Sequence, residues 1–498
     1  MTTDDARLLS AFTRFGLGPR PGDLAGRGDP REGLVAELTK PDGARIDDPA
    51  LPRTPEALQA VFADQQRKKL ERERSPAGTR SETETPAGIS PAAPAAPGLG
   101  PPGGAGASPM AETAAPGAMN GGSVAKALTP EQQIFRAEAA ARFGRALAAP
   151  IGYLERLVAF WSNHFCVSIA KGNVTHAAAG AFEREAIRPH VTGRFADMLR
   201  AVEQHPAMLS FLDNAQSVGP ASKAGRNGDR GLNENLAREI LELHTMGVGS
   251  GYAQADVTAL ARILTGWTIV GREGRLGEPG SFAFNANAHE PGAATVLGRL
   301  YDQPGLAQGE AALADIARQG AVADHIAAKF ARHFVADEPP PKLTAKLAKT
   351  FRDSDGDLGA LARALVQDDE AWRAPATKMR SPWEFMVASY RAFNRNAPEP
   401  GPLLNALSLM GMPLWRPSGP NGFADVASAW ASPEGVKMRV ETAAQFARQT
   451  KDAPAPPAMI DEILGPSASR ETRETVLRAE SREQAVALLL MSPEFQRR

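Results

Sequence analysis

At 498 residues the chain has room for about two to four average domains, or for one large domain with decorations, and its 43% apolar content suits a substantial core. Lys plus Arg (56) and Asp plus Glu (57) nearly cancel, which removes any global electrostatic case for nucleic acid or an anionic membrane. The single cysteine, Cys166, excludes an internal disulfide framework and a cysteine-rich metal site, and fits a reducing compartment.

In chain order, the acidic start MTTDD lacks the basic and apolar regions of a signal peptide, so a cytoplasmic location is expected. No run of about 18 apolar residues occurs, so no membrane span is expected. Residues 4–16 carry Leu8, Leu9, Phe12 and Phe15 at helical spacing, and GLGP at 16–19 stops the helix. Further helices are predicted near 30–40 and 54–72, the latter ending in the charged run RKKLER, a solvated face. Together 1–74 reads as an N-terminal helical arm packing on the main body. From 75 to about 124 the composition turns to Pro, Ala, Gly, Ser and Thr, with no aromatic residue or histidine between Phe62 and Phe135. Such a segment cannot bury enough surface to offset its ordering entropy, so 75–128 reads as a disordered insertion. Deleting 75–124 is expected to leave the melting temperature nearly unchanged; a loss of several degrees in thermal unfolding would show that the segment packs.

The main helical domain, 129–498, opens with Thr129 and Pro130 as a cap and first-turn pair. Helices are predicted at about 130–148, 150–166, 180–190, 194–212, 233–246 and 253–266. Short strands follow at 267–270, 281–284 and 295–297. Helices resume at about 308–319, 322–335, 341–352, 357–368, 382–394, 402–409, 424–430, 433–449 and 483–491. The expected class is mainly α: one large multi-helix globular domain with a small β-hairpin insertion.

Two segments place polar groups in apolar helices, where they cost free energy unless paired or ligated. In FWSNHF (160–165), Phe160, Trp161, His164 and Phe165 share one stripe with Leu157, so His164 is either a satisfied core histidine or a ligand. Trp161 and Asn163 supply donors beside it, and aromatic walls with a few polar groups resemble a pocket lining. In NENLAREILELH (233–244), Glu234, Arg238 and Glu242 form one row, with Asn235 and Glu239 on the next. His244 lies nearer the apolar side, and Glu239 and His244 do not make a Glu-x-x-His metal spacing. A Glu/Arg ladder on a solvated face is the simpler reading; a buried Arg238 paired with Glu234 or Glu242 is the sharper one. His289 and Glu290 fall in a turn with no packing duty, and Asp213 with Asn214 ends a helix where capping competes with ligation.

Other apparent motifs fail. DSDGD at 353–357 suggests a calcium loop, but Leu358 and Ala364 stand where glycine and glutamate are needed. Gly247, Gly249 and Gly251 follow a helix, so they form a turn and not a dinucleotide fingerprint. No nucleophile elbow, HExxH zinc helix or phosphate loop is present.

Taken together, LSAFTRFGLG (9–18), FWSNHF, MLSFLDN (208–214), NENLAREILELHTMG (233–247), DVTALARILTGW (256–267), HEPG (289–292), SPWEF (381–385) and SPEF (492–495) resemble the bacterial domain-of-unknown-function 1800 family. The likeness spans nearly the whole chain outside the insertion. It implies a partner, because genes of that family often neighbour those of the sulfatase-like domain-of-unknown-function 1501 family. It also implies a second location, since members often carry export signals: the periplasm, reached with a signal-bearing partner.

Two functions follow as expectations. The first is a metal-dependent enzyme, hydrolytic or redox, with Glu239, Glu242 and His164 as the reacting groups. Trp161, Asn163, Asp213, Asn214, Asn235, Arg238, His244, Trp267 and His289 would bind, and His164, Glu239 and His289 would hold the metal. Oxygen and imidazole donors suit Mg, Mn, Fe or Zn, and a carboxylate could act as base on metal-bound water. The second is a non-catalytic scaffold or partner whose buried networks fix helix registers. The enzyme reading expects His164 to lie close to Glu239 or Glu242 in a cavity shared with Asp213 or Asn214.

Overall fold

The computed structural model describes residues 3–25, 28–74, 127–228 and 231–498. Among them the chain forms 23 α-helices and only two small antiparallel hairpins, which gives the mainly α class. Residues 1–64 and 129–498 cluster as one unit and 65–128 as another. The expectation of a disordered insertion falls on residues that lie outside those described, apart from 127 and 128.

The helix that organises the rest is Tyr153–His164. Its sequence YLERLVAFWSNH keeps apolar residues on one stripe, and Tyr153, Leu157, Phe160, Trp161 and His164 are all buried. The start of this helix is fixed from far away. The Glu37 carboxylate accepts the amides of Ile151 (2.7 Å), Gly152 (3.0 Å) and Tyr153 (2.7 Å), satisfying donors that the first turn leaves unpaired. Glu37 belongs to the Pro30–Leu38 helix, so the N-terminal segment helps to set where the central helix begins.

At the Pro130–Ala148 helix only half of the expected cap forms. Gln132 Oε1 accepts the Thr129 amide at 3.1 Å, while the Thr129 hydroxyl has no partner. The full reciprocal box occurs at Pro382–Ala392, between Ser381 and Glu384.

Where boundaries differ from the periodicity, local chemistry explains it. The predicted 194–212 helix is two helices, Phe195–Glu203 and Pro206–Phe211, because Pro206 cannot continue the first. His205 Nδ1 caps the second by accepting the Ala207 amide at 3.1 Å. The Asn173–Phe182 helix was hidden by its alanines, which leave no large apolar stripe to count. The hairpin Trp267–Ile269 with Phe282–Phe284 follows the predicted strands, and Ala294–Val296 pairs with an unexpected strand, Arg299–Tyr301. Leu297 and Gly298 turn that second hairpin with φ of 51° and 76°, a turn usually marked by Asn-Gly.

A buried ion network locks three helical segments around the central helix. Arg188 pairs with both oxygens of Glu155 (2.8 and 2.9 Å) and with Glu183 (3.0 Å), and its side chain is 0% exposed. Glu183 also pairs with Arg142 at 3.0 Å and accepts from Ser162 at 2.9 Å. Burial opposes ionisation of Glu183, yet Arg142 and Arg188 outweigh it and hold its carboxyl below the usual range.

Candidate functional site

The residues singled out by sequence separate into several places. Asp213 sits in a left-handed turn (φ 60°) and pairs with Lys171 at 2.5 Å, largely in solvent. Asn214 is buried and donates to the carbonyls of Leu264 (3.1 Å) and Trp267 (3.3 Å), tying a helix end to the first hairpin. Trp267 is fully buried beside Gly309. His289 Nδ1 meets the Thr265 carbonyl at 3.0 Å and its ring packs on Phe284, in a turn of its own. Asn235 contacts the Leu212 carbonyl at 3.4 Å. Glu239 is half-buried, and burial raises its pKa. Among the described residues no three His, Cys, Asp or Glu side chains are arranged to hold a metal ion.

Arg238 does pair with Glu234 (3.1 Å) and Glu242 (3.3 Å), but its side chain is 36% exposed, so its expected burial does not occur. Screened pairs of this kind contribute little. Arg238→Ala is therefore expected to change stability by less than about 1 kcal/mol in denaturant unfolding; a loss of several would show a buried network instead.

His164 and His244 come together by a different route from the one their spacing suggests. The helix Asn235–Glu239 widens into a π-helical turn, Ile240–His244, and such a turn rotates later side chains away from the simple wheel. His244 is thereby fully buried, with Nδ1 on Glu203 at 2.8 Å, while His164 Nε2 meets the His244 carbonyl at 3.0 Å. The other ring nitrogens, His164 Nδ1 and His244 Nε2, are buried without partners. The rings stand 6.4 Å apart, and His325 lies 6.2 Å from His164. Gly247, at φ 91°, allows this approach: a Cβ there would meet His325 Nδ1 at 2.7 Å.

His325 begins a row that the sequence reading passed over. On the Gly320–Phe334 helix, His325, Lys329 and His333 lie at i, i+4 and i+8 and so share a face. That face is polar amid Ile326, Ala327, Phe330 and Phe334, all buried. His333 Nδ1 contacts Asp425 Oδ2 at 2.8 Å, and His333 Nε2 is buried and unpartnered. Asp425 also pairs with Lys378 at 3.2 Å, and Lys378 bonds Asp337 at 2.9 Å. Burial would raise the Asp425 carboxyl, but His333, Lys378 and Arg498 outweigh it and hold it well below the usual range. An ionised Asp425 accepts a hydrogen bond from Nδ1–H, which keeps the ring proton on Nδ1 and leaves the lone pair on Nε2. Burial pushes His333 down to about 3, Asp425 opposing and Arg156 and Arg498 adding, so the ring is neutral near pH 7.

The loop that delivers Asp425 is pinned to the end of the central helix. Asn163 donates to the Phe423 carbonyl (2.9 Å) and accepts its amide (2.8 Å), and Cys166 Sγ reaches the Pro420 carbonyl at 3.2 Å. Gly422, at φ 74°, is required because a Cβ would meet the Asn163 carbonyl oxygen at 2.4 Å. Two adjoining narrow clefts, with cavity volumes of only about 40 and 50 Å³, run under this loop. The first is walled by Trp383, Trp415, Met412 and Cys166; the second reaches His333, Asp425, Glu384 and Arg498. Arg142 lies between Trp383 and Trp415, 4.4 and 5.4 Å from the ring centres. Aromatic walls with a few converging polar groups are the general character of small-molecule sites.

The sequence model of a family described as "Protein of unknown function (DUF1800)" matches residues 10–497, nearly the whole chain. The chain belongs to the DUF1800 family. No curated protein and no solved structure matches it significantly. None of the helices among the described residues is long and apolar enough to cross a membrane.

Of the candidate site residues named from the sequence, Asn163 lines these clefts, with His164 beside them in the histidine group. His325, Lys329, His333 and Asp425 were missed. The first three had a usable signal, one basic row at four-residue spacing in an apolar helix. Asp425 had none, since it reaches the site only through a contact between segments 260 residues apart.

Proposed function

We propose that this DUF1800 chain is an enzyme that binds a small organic molecule with an apolar body and a hydrogen-bond donor in the clefts beneath the 417–425 loop. The observation that carries the reading is that His333, which lines the second cleft, has a buried, unpartnered Nε2 while its Nδ1 lies on Asp425 at 2.8 Å. A buried acceptor left open favours a ligand that completes it and disfavours one that cannot. Trp383, Trp415 and Met412 supply the apolar wall. An imidazole that takes a second proton only well below pH 7 is suited to accepting a hydrogen bond rather than holding a proton at pH 7.

A metal-assisted form of the reaction, hydrolytic or redox, draws on the open nitrogens His164 Nδ1 and His244 Nε2. Glu203 bonds the opposite nitrogen of His244 at 2.8 Å, as a carboxylate commonly does behind a histidine that binds metal. Elemental analysis of purified protein tests that form. The scaffold reading draws on one feature: Arg188 pairs with both Glu155 and Glu183, as a purely structural network would.

The test is a thermal-shift screen with small alcohols, phenols and amides, run on wild type and on His333→Leu. Compounds that raise the wild-type melting temperature by several degrees are expected to lose most of that effect in the variant. Equal shifts in both proteins, or none in either, would contradict the reading.

A further inference from the structure

Arg498 borders a second space besides the cleft that it shares with His333 and Glu384. This chamber measures about 410 Å³, far roomier than the clefts beneath the 417–425 loop and within the range common for small-molecule sites. Ala6, Leu9, Ser10 and Thr13, spaced three and four residues apart on the first helical segment, present one face to it. Pro466 and Pro493 extend the apolar wall from elsewhere in the chain.

The polar groups of that wall are mostly committed. Ser10 and Thr13 each donate to the carbonyl one turn back at 2.9 Å, and Ser467 donates to Leu464 at 2.8 Å. The Glu494 carboxylate accepts the Ser469 amide at 2.9 Å and the Thr472 hydroxyl at 2.8 Å. Arg497 is different. It is exposed, and among the described residues its side chain makes no ion pair and no hydrogen bond.

The charge behind the wall is one-sided. Arg14, Arg156, Arg380, Arg439 and Arg498 are all buried, and Arg156 and Arg498 share the Glu384 carboxylate. Arg14 meets only the carbonyls of Ala371 and Ala374, and Arg380 the carbonyl of Phe495 at 2.7 Å. Arg439 meets the Gln496 side-chain oxygen (2.9 Å) and the Arg380 carbonyl (2.6 Å). Neutral oxygens satisfy these donors without cancelling their charge. The partners belong to segments that line the chamber: Ala374 precedes Ala376, while Phe495 and Gln496 lie between Glu494 and Arg497. Burial first and Arg498 next pull Arg14 down to about 10 and Arg380 down to about 9, with Arg439 adding at Arg380. Burial takes Arg498 itself to about 10, Asp425 and Asp337 opposing. All three remain cations at pH 7.

We propose that this chamber binds a small monocarboxylic acid, its carboxylate facing Arg497 and Arg498 and its hydrocarbon body against Leu9, Pro466 and Pro493. Such a ligand supplies the negative charge that the surrounding arginines lack, and a guanidinium fork matches the two carboxylate oxygens. The apolar wall favours an acid with a hydrocarbon body over a bare inorganic anion. This site is separate from the His333 cleft and stands whether or not that cleft takes a ligand.

Calorimetric titration of the full chain with benzoate, benzamide and inorganic phosphate tests the proposal. Benzoate is expected to bind saturably, benzamide (its neutral isostere) not to bind, and phosphate to bind more weakly than benzoate. Arg497→Gln should weaken benzoate at least about tenfold. Ser10→Phe, which fills the chamber, should abolish binding, and His333→Leu should leave it unchanged. Arg498 is left intact because it also donates to the His333 carbonyl at 2.8 Å. If Ser10→Phe does not fold, the exposed Arg497→Gln change decides. No benzoate binding, equal binding of benzamide, tighter binding of phosphate, or full benzoate affinity in Arg497→Gln would overturn the proposal. Loss of benzoate binding in His333→Leu with none in Arg497→Gln would place the acid in the other cleft, and would also overturn it.

Discussion

Arg188→Ala is expected to destabilise the fold by about 3–5 kcal/mol. The guanidinium is fully buried and neutralises two carboxylates, Glu155 and Glu183, while donating to the Ala44 carbonyl at 2.8 Å. Removing it leaves Glu155 with Arg145 at 3.7 Å, a longer and more exposed partner, and leaves Glu183 to Arg142 alone among the cations. An uncompensated buried charge is far worse than a missing pair, which is why deletion costs more than the pair contributes. The network spans the central helix, the segment after Phe182 and the Pro130–Ala148 helix, so cooperativity should fall together with stability. Urea unfolding measures the change; a loss below about 1 kcal/mol would mean that water or a rearranged partner replaces Arg188.

Acidification gives the second large effect. Between pH 6.5 and pH 5, His333 alone is expected to remove roughly 2 kcal/mol of stability. Its folded value, about 3, lies below the unfolded value of 6.5, so in this range the unfolded chain binds a proton that the native chain refuses. Stability therefore falls as the pH falls, and the loss is complete only below the folded value. His164, also lowered by burial, acts in the same direction. The carboxyls of Glu183 and Asp425 are depressed and lose their contribution only at lower pH. Glu138 and Glu239, raised by burial, oppose the trend, so the clean readout is a difference. His333→Gln should show a shallower fall than wild type by about one proton's worth of slope. Parallel curves for the two proteins would show that His333 titrates normally in the native state.

Much of the architecture could be read from the sequence because apolar stripes at helical spacing dominate it. The central helix was legible from YLERLVAFWSNH, and Trp161 and Phe165 are buried as its stripe implies. Alanine-rich Asn173–Phe182 and the charged Arg470–Leu477 were illegible because neither shows such a stripe. The site was harder. Glu234, Arg238 and Glu242 caught the eye as a charged ladder, and the structure places that ladder partly in solvent, where charge is cheap. His164 and His244 were found, but their meeting depends on a π-helical turn that no wheel represents. Asp425 depends on Asn163 pinning a loop through two backbone hydrogen bonds, a contact carried by geometry rather than by any local pattern.

The central claim is that His333 is a neutral imidazole with its proton on Nδ1, aimed at Asp425, and its buried Nε2 lone pair left without a partner. Nitrogen-15 NMR of histidine-labelled protein at pH 6, with His333→Gln for assignment, reads this state directly. The expected spectrum shows one ring protonated at Nδ1 only and unchanged down to about pH 4. A doubly protonated His333 at pH 6, or a proton on Nε2 with Nδ1 bare, would contradict the account.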